Sequence, residues 1–121
     1  MKKNKTKTLI NQIVDSIQNK KGKKIIIADL TAINDTITNY LIICEGYSSS
    51  QVNSLVENIR DEVKQKTGES VLSIDGKRNA EWVAMDYADV VVHIFQPESR
   101  IYYNLENLWA DAQLTSIPDI D

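Results

Sequence analysis

The sequence predicts an α/β protein, on the border with α+β, built as a mixed five-stranded sheet with flanking helices. Three observations carry this expectation. Apolar stripes at helical period alternate with short β-branched runs, in the order helix, strand, strand, helix, three strands, helix. The 121 residues, 42% of them hydrophobic, suit one ordinary core. Four Gly and two Pro are too few for a linker or a low-complexity chain. The chain is therefore read as a single domain over residues 1–121, with its core at about 9–112, a basic N-terminal extension and a short C-terminal tail.

The first helix rests on Leu9, Ile10, Ile13, Val14 and Ile17, and Lys20-Lys21-Gly22 stops it with cations and a glycine. Two β-branched, apolar segments follow, KIIIAD at 24–29 and NYLIICE at 39–45. Gly46 ends the second strand, and Ser48 with Gln51 forms a capping box ahead of the stripe Val52, Leu55, Val56, Ile59 and Val63, which Gly68 closes. Three further strands are expected at 70–74, 81–86 and 89–96, the first followed by the turn Asp75-Gly76 and the last two joined tightly at Tyr87-Ala88. Pro97-Glu98-Ser99 opens a final helix with Ile101, Leu105, Leu108 and Ala112 on one face and Tyr102 and Trp109 on an adjoining one. The tail from 114 to 121 shows no period.

No apolar run approaches the ~20 residues of a membrane-spanning helix, and the N-terminus lacks the apolar stretch and cleavage site of a secretory signal, so the expectation is a cytoplasmic protein with no membrane partner. Cys44 is the only cysteine and His93 the only histidine. One of each makes an internal disulfide impossible and a structural zinc site implausible, and no metal or cofactor is expected. The net charge of -3 hides an asymmetry. Residues 1–24 hold eight lysines against one acid, Asp15, a balance of +7, whereas residues 25–121 hold six basic and sixteen acidic residues, a balance of −10. Such a body is steered toward basic protein surfaces, while the leading lysines suit phosphate; both are equally compatible with plain solvated faces.

The Gly46-Tyr47-Ser48 corner joins a strand to a helix N-terminus, as in nucleotidyltransferases, where two carboxylates on the next strand hold metal ions. The strand expected at 70–74 supplies none, which argues against phosphoryl transfer. His93 lies inside VVVHIF and reads as a hydrogen-bonded structural histidine, because nothing brings it to Ser49 and Asp86 as a triad would require. Asp86 and Asp89 flank a turn and suit turn chemistry. Trp82, Ala84 and Asp86 alternate onto one strand face and Val83 and Met85 onto the other. A tryptophan beside a carboxylate and a methyl is a poor core triplet, leaving two readings: an interface anchor, or packing beneath the final helix.

The segment 81–95, EWVAMDYADVVVHIF, followed by Arg100, Tyr103, Leu105-Glu106 and Leu108-Trp109, closely resembles the ribosomal silencing factor (Iojap-like) family, whose pattern is W-x-x-x-D-x-G-D-V-V-V-H and then R-x-x-Y-x-L-E-x-L-W. Asp29, Tyr40 and GYSSSQV at 46–52 extend the likeness over about residues 9–112. The resemblance implies a nucleotidyltransferase-like fold without catalytic residues, no enzymatic activity, and translation repression. Members bind the fourteenth protein of the large ribosomal subunit and so inhibit subunit association. It also implies partner-binding roles for Trp82, Asp86 and Tyr87, with Met85 and Arg100 as further candidates, and a homodimer in the free state. The N-terminal lysines are read as contacting ribosomal RNA. The alternatives are a divergent nucleotidyltransferase-like enzyme and a homodimeric scaffold with another partner. Three departures stand out: Ser50 where the family has Arg, Asp75 where it has Glu, and Ala88 where it has the turn Gly, so that a positive φ there would strain the alanine.

Overall fold

The computed structural model describes residues 2–120, with side chains described from residue 4 onward, so the side chains of Lys2 and Lys3 lie outside the described residues. Ten elements follow one another: α1 (Lys2–Asn19), β1 (Lys23–Asp29), β2 (Tyr40–Glu45), α2 (Ser49–Thr67), β3 (Ser73–Asp75), β4 (Trp82–Asp86), β5 (Val90–Phe95), α3 (Pro97–Tyr103), α4 (Leu105–Leu108) and β6 (Gln113–Ile117). The strands form one mixed sheet in the order β3-β4-β5-β2-β1-β6. Only β2 and β5 run parallel, and α2 lies on the crossover between them.

The first two expected helices form for the expected reasons. The α2 stripe Val52, Leu55, Val56, Ile59 and Val63 is wholly buried, each side chain contributing about 1.5–3 kcal/mol. At its start the Ser48 hydroxyl accepts from the Gln51 N–H at 3.1 Å. The Gln51 side chain reaches back to accept from the Tyr47 N–H at 2.6 Å, and it also donates to the Lys20 and Lys21 carbonyls at 3.3 Å. The capping glutamine thus ties the beginning of α2 to the end of α1. Gly68 closes the helix at φ +80, donating to the Lys64 carbonyl. Leu9, Ile13 and Ile17 of α1 join α2 over one sheet face, against Ile42, Cys44, Val83, Met85, Val90, Val92 and Ile94.

The other face is covered more thinly. Ala28, Leu30 and Leu41 form a small cluster there, with Ile33, Val91, Trp109 and Ala112 packed against it. Here the structure corrects the sequence reading in three places. The sheet has six strands rather than five, because the tail contributes β6, which pairs antiparallel with β1 from Ile25↔Ile117 to Asp29↔Gln113. Four of its five residues are exposed, so no alternation marked it. The strand expected at 70–74 shrinks to Ser73–Asp75, with Leu72 left exposed. The final helix is two helices, broken at Asn104, which sits in the left-handed region at φ 47. That break destroys the phase of the expected stripe, and Ile101 and Leu108 are 80% and 69% exposed rather than packed.

Candidate functional site

The site grows from β4. Its burial alternates as the sequence predicts, with Val83 and Met85 in the core and Trp82, Ala84 and Asp86 half-buried on the thinly covered face. β3 pairs only with Ala84, Met85 and Asp86, so at Trp82 the strand reaches the margin of the sheet. Cross-strand register sets Trp82 opposite Phe95 and Ala84 opposite His93. The alanine methyl leaves room for the indole to lean diagonally toward the imidazole, and Trp82 Nε1–H donates to His93 Nδ1 at 2.9 Å. The indole stacks on Phe95 with centroids 5.1 Å apart, and Tyr103 from α3 closes over it at 4.6 Å. Tyr103 itself is 49% exposed and meets Tyr102 edge-on at 5.0 Å. Burial lowers the His93 pKa to about 4, so the ring is neutral at physiological pH. This is the hydrogen-bonded histidine that VVVHIF foretold.

Two shallow pockets flank Trp82. One, of about 420 Å³, is lined by Glu81, Gln96, Glu98, Ser99, Tyr102 and Tyr103. The other, of about 220 Å³, is lined by Gly76, Arg78, Asn79, Glu81, Trp82 and Tyr103. Gly76 stands at φ +95, where an added Cβ would fall 2.1 Å from the Trp82 carbonyl oxygen, so the turn before β4 admits only glycine without moving the tryptophan's backbone.

The five residues expected to touch a partner occupy different environments. Trp82 and Asp86 share the outer face, about 13 Å apart along the strand. Asp86 Oδ1 accepts from the Ala88 N–H at 2.7 Å, the turn chemistry expected of it. Tyr87 is buried, its hydroxyl has no hydrogen-bond partner among the described residues, and burial pushes its pKa up to about 12. Met85 is fully buried on the helix-covered face. Arg100 is also buried: its Nε donates to Glu106 Oε1 at 2.6 Å and its Nη1 to the Lys24 carbonyl at 2.7 Å, with Glu45 Oε1 at 3.4 Å. It clamps α3 to α4, β1 and β2. Met85 therefore fills core volume and Arg100 spends its donors internally, unlike the half-buried Trp82 and Asp86. What the sequence reading left out of the site is Tyr103 with Tyr102. The signal was Asn104, a residue that tolerates the left-handed conformation and so ends α3 with its tyrosines outside the packing.

The Gly46-Tyr47-Ser48 corner offers little to a phosphate, since the Tyr47 and Gln51 N–H groups are already taken by side chains. β3 does carry a carboxylate, Asp75, which the expected strand lacked. Among the described residues, no three His, Cys, Asp or Glu side chains converge as metal ligands, and no helix is long and apolar enough to cross a membrane.

The fold and site define a class: a mixed α/β sheet domain with an aromatic cluster at the sheet margin, flanked by Glu81 and Glu98. Residues 3–121 match the family model described as ribosomal silencing factor during starvation. Ribosomal silencing factor RsfS of Bacillus subtilis is 34% identical over 92% of this chain and 92% of its own length, and that of Halalkalibacterium halodurans 32% identical over 93% and 94%. A crystal structure of protein CV0518 from Chromobacterium violaceum superimposes with a TM-score of 0.80 at 29% identity, covering 86% of this chain and 85% of that one. The chain belongs to the ribosomal silencing factor family.

Proposed function

We propose that this protein represses translation in the cytoplasm by docking on the large ribosomal subunit, through that subunit's fourteenth protein, and standing where the small subunit must approach. The observation that carries the reading is the half-buried Trp82, held by Phe95, His93 and Tyr103 at the margin of the sheet with part of its surface in solvent. A large, rigid aromatic at an accessible position is the residue type on which interfaces concentrate their energy. Asp86 extends the contact along the same face; Tyr87, Met85 and Arg100 act from beneath, fixing the turn, strand and helix that present it. The acidic body favours a basic ribosomal protein, and exposed Lys5 and Lys7 on α1 reach toward ribosomal RNA. No chemistry is needed, because occupancy suffices once the concentration exceeds Kd.

Sucrose-gradient sedimentation of mixed subunits tests this. The wild-type chain is expected to deplete joined ribosomes and to comigrate with the large subunit, while a Trp82→Glu variant that keeps its circular dichroism leaves joining intact, at a cost of about 2 kcal/mol or more in binding. Joined ribosomes that persist at saturating wild-type protein overturn the reading.

A second state has its own support. Ile37, Ile101, Tyr102 and Leu108 are 98%, 80%, 80% and 69% exposed, and covering them would take large apolar side chains out of water. A free homodimer covering this surface accounts for it.

A further inference from the structure

The diagonal bond between β4 and β5 defines more than a resting contact. Indole N–H is a donor only, so the Trp82 Nε1 to His93 Nδ1 bond at 2.9 Å requires an unprotonated Nδ1, and in the neutral ring the proton is then carried by Nε2. Phe95 and Tyr103 both pack against the indole, but ring contacts alone leave it free to slide and flip. The hydrogen bond is what selects one of these orientations. Resting on the docking reading above, we infer that His93 is a positioning residue that holds the Trp82 indole in its docked orientation before the partner arrives.

Three features support the assignment. His93 sits directly opposite Ala84, whose methyl is the only side chain on that strand position, so the imidazole edge is open to Trp82 and to no bulkier neighbour on β4. The site is sheltered, which keeps the ring uncharged and its Nδ1 lone pair available. The cluster also includes the half-exposed Tyr103, so the same contacts that fix the indole leave part of it accessible. A side chain ordered in advance spares the complex the entropy of ordering it on contact, a saving of about two- to tenfold in affinity.

Nitrogen-15 NMR of the wild-type protein at neutral pH is the first test: His93 is expected as the Nε2–H tautomer, with the Trp82 indole N–H slow to exchange with solvent. The Nδ1–H tautomer, or an indole proton that exchanges freely, overturns the inference. The second test is a double-mutant cycle read by binding to purified large subunits. His93→Leu keeps an apolar side chain but removes the acceptor and is expected to weaken binding about two- to tenfold, whereas in a Trp82→Phe background, which has no N–H to hold, it changes nothing further. Equal losses in both backgrounds mean that the histidine serves packing only, and the inference fails. Failure of the docking reading has a different signature, namely Trp82→Ala binding as tightly as the wild type, and it removes the positioning role with it. If His93→Leu does not fold, the tautomer and exchange measurements on the wild type still decide.

Discussion

His93 carries its environment into the pH dependence of stability. Its pKa is about 4 in the fold against 6.5 in the unfolded chain, so below pH 6.5 the unfolded state binds a proton that the native state refuses. Stability is therefore whole above pH 6.5 and falls as the pH drops toward 4. Glu57, held below its ordinary range by its hydrogen bond to Lys77, and Glu62, lowered by hydrogen bonding from Ser16, Asn19 and Asn58, begin to lose their stabilising contributions only near pH 4.5. The interval from 6.5 to 4.5 thus isolates the histidine. Urea unfolding across it is expected to show a loss of about 2–3 kcal/mol that His93→Leu abolishes. Ala88 makes a second residue-scale case. It occupies the turn at φ 73, the strained conformation that its departure from the family's glycine raised as a question. Ala88→Gly is expected to raise stability by about 1 kcal/mol, read as a shift in the thermal midpoint with docking unchanged.

Among the elements, those that could be read from the sequence are the ones that bury one face. The α2 stripe, its serine cap and its glycine stop, and the alternation along β4, each state a period that tertiary packing then honours. What stayed illegible had no such period. Four of the five β6 residues are exposed, so no alternation marked one set of side chains as apolar, and the β1 ladder holds it together with Ile117, which packs against the core. The α3–α4 break hid behind a stripe that looked continuous from Ile101 to Ala112. The candidate site divides the same way: Trp82 and Asp86 were placed correctly by strand period, whereas Arg100, a charge usually found outside, was drawn inward by three internal acceptors that no spacing announces. An Arg100 variant that failed to dock would accordingly report a loosened α3 and an uncompensated Glu45, not a lost contact.

Over the whole molecule the two sheet faces have unequal tasks. One is sealed by α1 and α2 and supplies the core, while the other, under short helices and loops, is where aromatic and aliphatic side chains reach the surface. The proposed dimerisation and docking both use this second face, and sedimentation equilibrium checks the first of them. The wild type is expected to be dimeric at micromolar concentration, and Tyr102→Lys, which places a charge among the exposed side chains of α3, is expected to weaken the dimer by about tenfold or more. A monomeric wild type would remove the dimer reading.

The last strand bears on what happens should the chain be clipped. Ile25, Ile26, Ile27 and Ala28 of β1 pair with Ile117, Ser116, Thr115 and Leu114 of β6, and Pro118 follows at once with no N–H to offer a newcomer. With that strand gone, a row of isoleucines would become the open rim of the sheet, a template for any passing strand. The last strand thus works as a selvedge, and its removal would be felt first as clumping of the protein, ahead of any loss of fold.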